Sequence, residues 1–304
     1  MDCGGLETTV RHFKNMKMER NMKCFYHSAD LDGHCSGAIV KMAYPECEMI
    51  GINYGQDFPW SSILPDEEVF MVDFGLQPFS WMERLNSICK LTWIDHHKTA
   101  VDDAHSVGFM TSGGQVLEEG KAGCELTWRY LHPDAPTPPT VYFLGRYDVW
   151  DHSDYRSLQF QYGMRQFKDT SPGNQDFWSK ALVAAHGGFV SMVLSDGKLL
   201  LEYEQAQNEK FCRAYSFETE INGMIGICAN RGFTNSKVFD SVYDPTKHHL
   251  MITFCRLKLP AGKWTVSLYT TREDVDCGSI AKSFGGGGHK QAAGFQCEVL
   301  PFNF

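Results

Sequence analysis

Three short apolar runs in the first hundred residues each end on a carboxylate or an imidazole, with helix-length segments between them. The runs at 23–27, 68–73 and 89–94 close on His27, Asp73 and Asp95, and a further strand-like run occupies 48–53. Apolar stretches of strand length, separated by segments of helical spacing at 33–44 and 78–87, indicate a parallel sheet covered on both faces. The expected fold class is α/β, with an N-terminal doubly wound, mainly parallel sheet lobe. Functional groups in such sheets collect at the carboxyl ends of the strands, where these side chains stand.

Past residue 121 the pattern changes. Helical spacing at 122–131 and 141–150 brackets the Pro-rich turn at 133–139, and a Glu/Gln/Ala-rich helix at 199–215 would join two lobes. A smaller C-terminal α/β lobe follows, with strands at 224–229, 250–257, 264–269 and 294–299 and a helix at 277–284. With 304 residues, 43% of them hydrophobic, the chain can build two cores. The expected division is an extension at 1–21, a first lobe at 22–190, a linker helix region at 191–217 and a second lobe at 218–304.

The eleven cysteines form no C-x-x-C pair. They are expected to be reduced, mostly buried thiols of a cytoplasmic protein. No apolar run reaches the roughly 18 residues of a membrane-spanning helix, so no membrane partner is expected. The net charge of −9 argues against a grip on long duplex nucleic acid, which calls for a basic face. It leaves room for short substrates, or for a cleft whose sign bound cations reverse.

Four clusters carry the candidate chemistry. His27, Asp30 and Asp32 fall within H-S-A-D-L-D-G at 27–33, where hard oxygen and borderline nitrogen donors suit Mn²⁺ or Mg²⁺. The plainer alternative is that the aspartates cap a helix. Asp73 follows an apolar strand, as ordinary turn residues also do. Asp95-His96-His97 ends another strand, and adjacent histidines on a strand point apart, so one is free to ligate while the other faces substrate. In the fourth, Asp148 is preferred over Asp151 and His152, which share its helical neighbourhood. A fifth feature, F-G-G-G-G-H-K-Q-A-A-G at 284–294, lacks the Walker spacing. Its glycines let backbone amides approach an anion, beside His289 and Lys290.

In this order, H-x-x-D-x-D-G, Asp73, Asp95-His96-His97, Asp148 and G-G-G-G-H-x-x-A-A-G resemble the DHH phosphoesterase superfamily with its DHH-associated C-terminal domain, of the oligoribonuclease and phosphoadenosine-phosphate phosphatase type. The resemblance covers nearly the whole chain from residue 22. It implies two lobes across a cleft, with 22–190 as the catalytic domain and 218–304 as the substrate-binding domain. Two divalent cations are implied, Mn²⁺ ahead of Mg²⁺. His27, Asp30 and Asp73 would hold one; Asp32, Asp73, His96 and Asp148 would hold the other, with Asp73 bridging. His97 would donate toward the substrate phosphate, Asp95 would orient the histidines, and Gly286, Gly287, Gly288 and His289 would hold a terminal phosphate or nucleotide.

The implied activity is two-metal hydrolysis of phosphate esters in short single-stranded RNA or DNA or in nucleotides, by an exonuclease or a phosphatase of bisphosphorylated mononucleotides. Alternatives are a cyclic-dinucleotide phosphodiesterase and an idle nucleotide-binding regulator, and a homo-oligomer is compatible with all three. Two features depart from the branch acting on short RNA. His27 precedes Asp30 by three positions rather than four, and Tyr269 stands where an arginine is expected, with Arg272 and Arg256 as candidates to replace it.

Overall fold

The computed structural model describes residues 22–183, 187–258 and 262–303; the extension expected at 1–21 lies outside them. The first lobe runs β1 (Met22–His27), α1 (Leu31–Ala43), β2 (Glu48–Ile52), β3 (Glu68–Val72), α2 (Ser80–Ile88), β4 (Lys90–Asp95), α3 (Lys98–Ser106) and β5 (Gly114–Leu117). Its five strands lie in the order β2-β1-β3-β4-β5, every neighbour parallel. The chain leaves β1 toward one side for β2 and toward the other for β3. The strand order therefore reverses beside β1, and His27 and Asp73 flank the crevice that this reversal opens.

Alternation along the strands divides the core. Phe25, Met71 and Trp93 pack on one face with Met82 and Leu85 of α2, while Cys24, Val72 and Ile94 pack on the other with Val40 and Leu126. Those runs read as continuously apolar because both faces are covered.

Five helices follow: α4 (Gly123–Leu131), α5 (Pro139–Asp148), α6 (Arg156–Met164), α7 (Gln175–Leu182) and α8 (Gly187–Tyr215). Pro139 at the first position of α5 supplies a preset φ and lacks only an N–H that would be unpaired there. The helix α8 begins well before 199 and is more than a connector. Val193 is buried with Phe160, Met164 and Trp178 in the first lobe's core, whereas Cys212 is buried with Val238 and Phe239 in the second lobe's. Its crossing of α6 is close: a Cβ on Gly197 would stand 1.7 Å from the carbonyl oxygen of Gln159, and one on Gly163 would stand 2.0 Å from that of Val193.

The second lobe is a six-stranded mixed sheet of order β10-β11-β9-β8-β7-β6, built from β6 (Phe217–Ile221), β7 (Met224–Asn230), β8 (Leu250–Arg256), β9 (Trp264–Tyr269), β10 (Gly287–Gly288) and β11 (Ala292–Cys297). Within it only β7 and β8 are parallel neighbours. The helix α9 (Cys277–Ser283), capped by the Asp276 carboxylate, covers one face with Ile280 and Ala281. Phe302 folds back onto Phe254, with ring centroids 5.4 Å apart, while Phe304 lies outside the described residues. All cysteines among the described residues are unpaired thiols. Among the same residues no helix is long and apolar enough to cross a membrane.

Candidate metal centre

His27, Asp30, Asp32, Asp73, His96 and Asp148 come from four separate segments and converge at the carboxyl ends of β1, β3 and β4. Three overlapping groups each place their donor atoms within 4.8 Å of one another: His27, Asp30 and Asp73; Asp32, His96 and Asp148; Asp73, His96 and His97. Asp73 belongs to two of them. It sits at φ 53°, a left-handed conformation that aspartate tolerates better than most residues, directly after β3. That turn aims its carboxylate back over the sheet, and its amide still donates to the carbonyl of Ile94 at 2.9 Å.

Helix capping and ligation, alternatives at the sequence level for Asp30, are compatible because the carboxylate has two oxygens. Oδ1 accepts from the Gly33 amide at 2.9 Å, and Oδ2 lies 2.9 Å from His27 Nδ1. The spacing of three between His27 and Asp30 thus does not remove His27 from the cluster.

Asp32 is 3% exposed and accepts from the amides of Gly123 and Cys124 at 2.7 and 2.9 Å. The N-terminus of α4, with its unpaired amides and positive end of the dipole, therefore holds a ligand candidate in place. Sequence reading missed this contribution; the small residue opening α4 was its only trace. A Cβ on Gly123 would lie 2.6 Å from the Cβ of Asp73 and 2.9 Å from Asp32 Oδ2. Gly123→Ala is expected to push the two carboxylates apart and weaken Mn²⁺ binding about 10- to 100-fold, the range for lost outer support. Titration calorimetry checks this; unchanged affinity would contradict it.

The two histidines of the trio do not diverge as strand neighbours would. The strand ends at Asp95, the chain turns, and the rings lie with centroids 4.7 Å apart. His96 Nε2 is 3.1 Å from Asp73, 3.3 Å from Asp148 and 3.8 Å from Asp32. Asp95, fully buried, accepts from the His96 and His97 amides at 2.8 and 3.2 Å and meets His97 Nδ1 at 2.8 Å. That contact leaves His97 Nε2 for the cleft. Of the three candidates near the end of α5, Asp148 alone joins the cluster: Asp151 pairs with Arg146, and His152 packs against Trp150 and Tyr147.

Electrostatics at the cluster favour added positive charge. Burial, then Asp73 and Asp148, push the Asp32 carboxyl well up, and burial together with the neighbouring carboxylates lifts Asp148 to about 7. Burial opposes protonation of His27 and His96, but the carboxylates around them prevail and raise them to about 10 and about 11. Asp73 is pushed up by burial yet held below the usual carboxylate range by His27 and His96. Buried His27 Nδ1 and Asp73 Oδ2 still lack a directed hydrogen-bond partner. Donors that crowd to a point without satisfying one another fit divalent cations, and the oxygen and imidazole set suits Mn²⁺ or Mg²⁺.

A pH dependence follows. Ligation needs neutral imidazoles, and raised pKa values mean that His27 and His96 carry protons at pH 7.5, so metal uptake must expel them. Affinity is expected to tighten as pH rises toward 10, with roughly one to two protons released for each cluster filled. Calorimetry in buffers of different ionisation enthalpy would register the release, and a buffer-independent heat would contradict it.

Across the cleft, His289 stacks on His97 with centroids 5.6 Å apart and an interplanar angle of 21°. Partial desolvation in the cleft, reinforced by His97 and His96, pushes its pKa down to about 4. The glycine run is less open than an anion cradle: Gly286 donates to Ala281, His289 to Ala292, and Gly287 and Gly288 form β10 against β11. His289 is the side chain that this segment brings against His97. Tyr269 is partly buried against the Phe239 cluster. Arg272 is occupied by Asp274 and the carbonyl of Pro245. Arg256 pairs with Trp264 at the other end of β8 from Met251, the partner of Tyr269. Five residue steps along the strand separate those positions, about 17 Å. Neither arginine takes the expected place.

The architecture, a parallel-sheet lobe followed by a mixed-sheet lobe, is shared with solved structures that include a DHH domain. The DHH domain of a member of a ribosomal-protein family matches 90% of this chain and 82% of its own, with a TM-score of 0.56 and 14% identity. A pGpG-specific phosphodiesterase from Vibrio cholerae matches 92% of this chain and 94% of its own, with a TM-score of 0.50 and 11% identity. These likenesses establish the fold. An uncharacterized protein of Acanthamoeba polyphaga mimivirus is 26% identical over 244 residues, 75% of this chain. The chain spans about half the length of that relative, 53%. No family model matches the sequence.

Proposed function

We propose that this chain is a two-metal phosphoesterase acting on short oligonucleotides or nucleotides, and that residues 22–190 carry the chemistry while 218–304 grip the substrate. The observation that carries the reading is Asp73, shared between two donor groups at the strand-order reversal. Two Mn²⁺ ions, bound as the donor groups suggest, would supply a nucleophilic hydroxide at neutral pH and offset charge on phosphorus.

The protein's own groups do the rest. With Nδ1 held by Asp95, His97 presents Nε2 to a phosphate oxygen, and Asp95 raises its pKa against the effect of burial, which favours the donor form. His289, neutral and stacked on His97, closes the opposite wall and hydrogen-bonds a terminal phosphate or sugar hydroxyl. A chain with a net charge of −9 fits substrates with few phosphates.

The test is a panel incubated with Mn²⁺: RNAs of two to five nucleotides, longer RNA and DNA, phosphoadenosine phosphate, linear and cyclic dinucleotides, and pyrophosphate. Linear dinucleotides stand first, being the substrate named for one fold neighbour. Release of mononucleotide or phosphate, abolished by chelation, supports the reading; no turnover of any member overturns it.

A further inference from the structure

Beside the metal centre lies an aromatic side chain that the phosphate chemistry does not use. Tyr54 follows β2, one residue past Asn53 and before Gly55, in a turn pinned by the Asn53 side chain accepting from the Tyr54 amide at 2.8 Å and Gln56 accepting from the Asn53 amide at 3.0 Å. One side of its ring packs on Phe74 at 4.5 Å, and Phe74 is itself buried directly after Asp73. Its edge contacts reach His27 at 5.8 Å and His97 at 6.4 Å. Even so, Tyr54 keeps 49% of its surface exposed. The ring is thus fixed from below and at its rim by residues of the metal centre and open on the remaining side.

We infer that Tyr54 is a nucleobase platform: the base attached to the nucleotide next to the scissile phosphate stacks on its open face. This rests on the phosphoesterase reading and sharpens it, because the site would then prefer base-bearing esters over inorganic polyphosphates. Three features support it. The ring lies within about one nucleotide's reach of His97, whose Nε2 faces the phosphate. Its position is set by packing rather than by its own flexibility, so little ordering entropy is lost on binding. Stacking on an aromatic face is tolerant of base identity and worth about 1–3 kcal/mol per base. Purines, with the larger π surface, are expected to bind more tightly than pyrimidines.

The experiment compares Tyr54→Ala and Tyr54→Phe with the parent protein, all loaded with Ca²⁺ to separate binding from turnover. Calorimetry measures affinity for a linear diadenylate and for its counterpart lacking both bases, and turnover in Mn²⁺ is followed in parallel. The expected result is that the ratio of base-bearing to baseless affinity falls roughly 10- to 100-fold in Tyr54→Ala, within the range for one lost stack. Tyr54→Phe, which keeps the ring, should retain the ratio. An unchanged ratio in Tyr54→Ala, equal loss in both variants, or equal affinity of the parent protein for the two ligands would overturn the inference. Loss of the ratio without any turnover in Mn²⁺ would uphold the platform while removing the hydrolase reading.

Discussion

Replacing Asp73 by asparagine is expected to abolish metal-dependent turnover, by roughly a thousandfold or more, equivalent to about 4 kcal/mol of transition-state stabilisation. The substitution is chosen for its backbone. At φ 53° the position suits few residues, and asparagine is one that visits this region readily, so the turn after β3 should survive. What disappears is the negative charge common to two donor groups. His27 and His96 both lie against this carboxylate, at 3.7 and 3.1 Å, and would face a neutral amide. Both donor groups should weaken together, so calorimetry should show loss of high-affinity Mn²⁺ uptake in the same variant whose turnover vanishes. If uptake fell while turnover persisted at parent levels, the shared carboxylate would not be the centre of the chemistry.

The largest expected effect on stability lies far from that carboxylate, where α6 crosses α8. Gly197→Ala would drive a methyl group to within 1.7 Å of the Gln159 carbonyl oxygen and 2.6 Å of the Gly163 amide nitrogen. Backbone atoms cannot rotate out of the way as a side chain would, so the helices must separate, at a cost of about 3 kcal/mol, the upper end for overpacked sites. The urea midpoint should fall by about 1 M for an m-value near 3 kcal/mol/M. Gly188→Ala is the control on the same helix: a Cβ there meets nothing within 4 Å. Its midpoint should hold or rise, since alanine favours helix by up to ~1 kcal/mol. Equal midpoints for the two variants would mean that the crossing yields more easily than its geometry implies.

The features legible in the sequence were those with strong local signals. Continuous apolar runs ending on a carboxylate or an imidazole located β1, β3 and β4, and the same pattern placed His27, Asp73 and Asp95 at strand ends. The helix at 277–284 matches α9 closely, and the final strand was placed two residues late, at 294–299 rather than Ala292–Cys297. Other elements escaped: β5 has four half-buried residues with no clear period, and α3, α6 and α7 were not read from the sequence. The strand β6 was missed although Asn222 and Gly223, both at positive φ, mark a two-residue hairpin turn after it. The extent of α8 was obscured because the segment before 199 contains Gly187, Gly188 and Gly197, which read as breakers; Gly197 is instead where another helix crosses. Long-range features were out of reach for a different reason. That α4 donates its first amides to Asp32, about ninety positions earlier, and that Tyr54 lies over Phe74, depend on tertiary placement that no local period encodes.

The path of α8 also limits how such a chain can be recombined. Val193, near one end, completes the core around Trp178, and Cys212, near the other, completes the core around Phe239. A chimera that exchanges one lobe for that of a distant relative must splice inside this helix, because a junction before it or after it strips one core of a wall. The splice must also preserve helical phase, since one inserted residue turns every later side chain by about 100° and would swing Cys212 off its core. Point changes within one lobe therefore disturb such a chain less than the exchange of a whole lobe does.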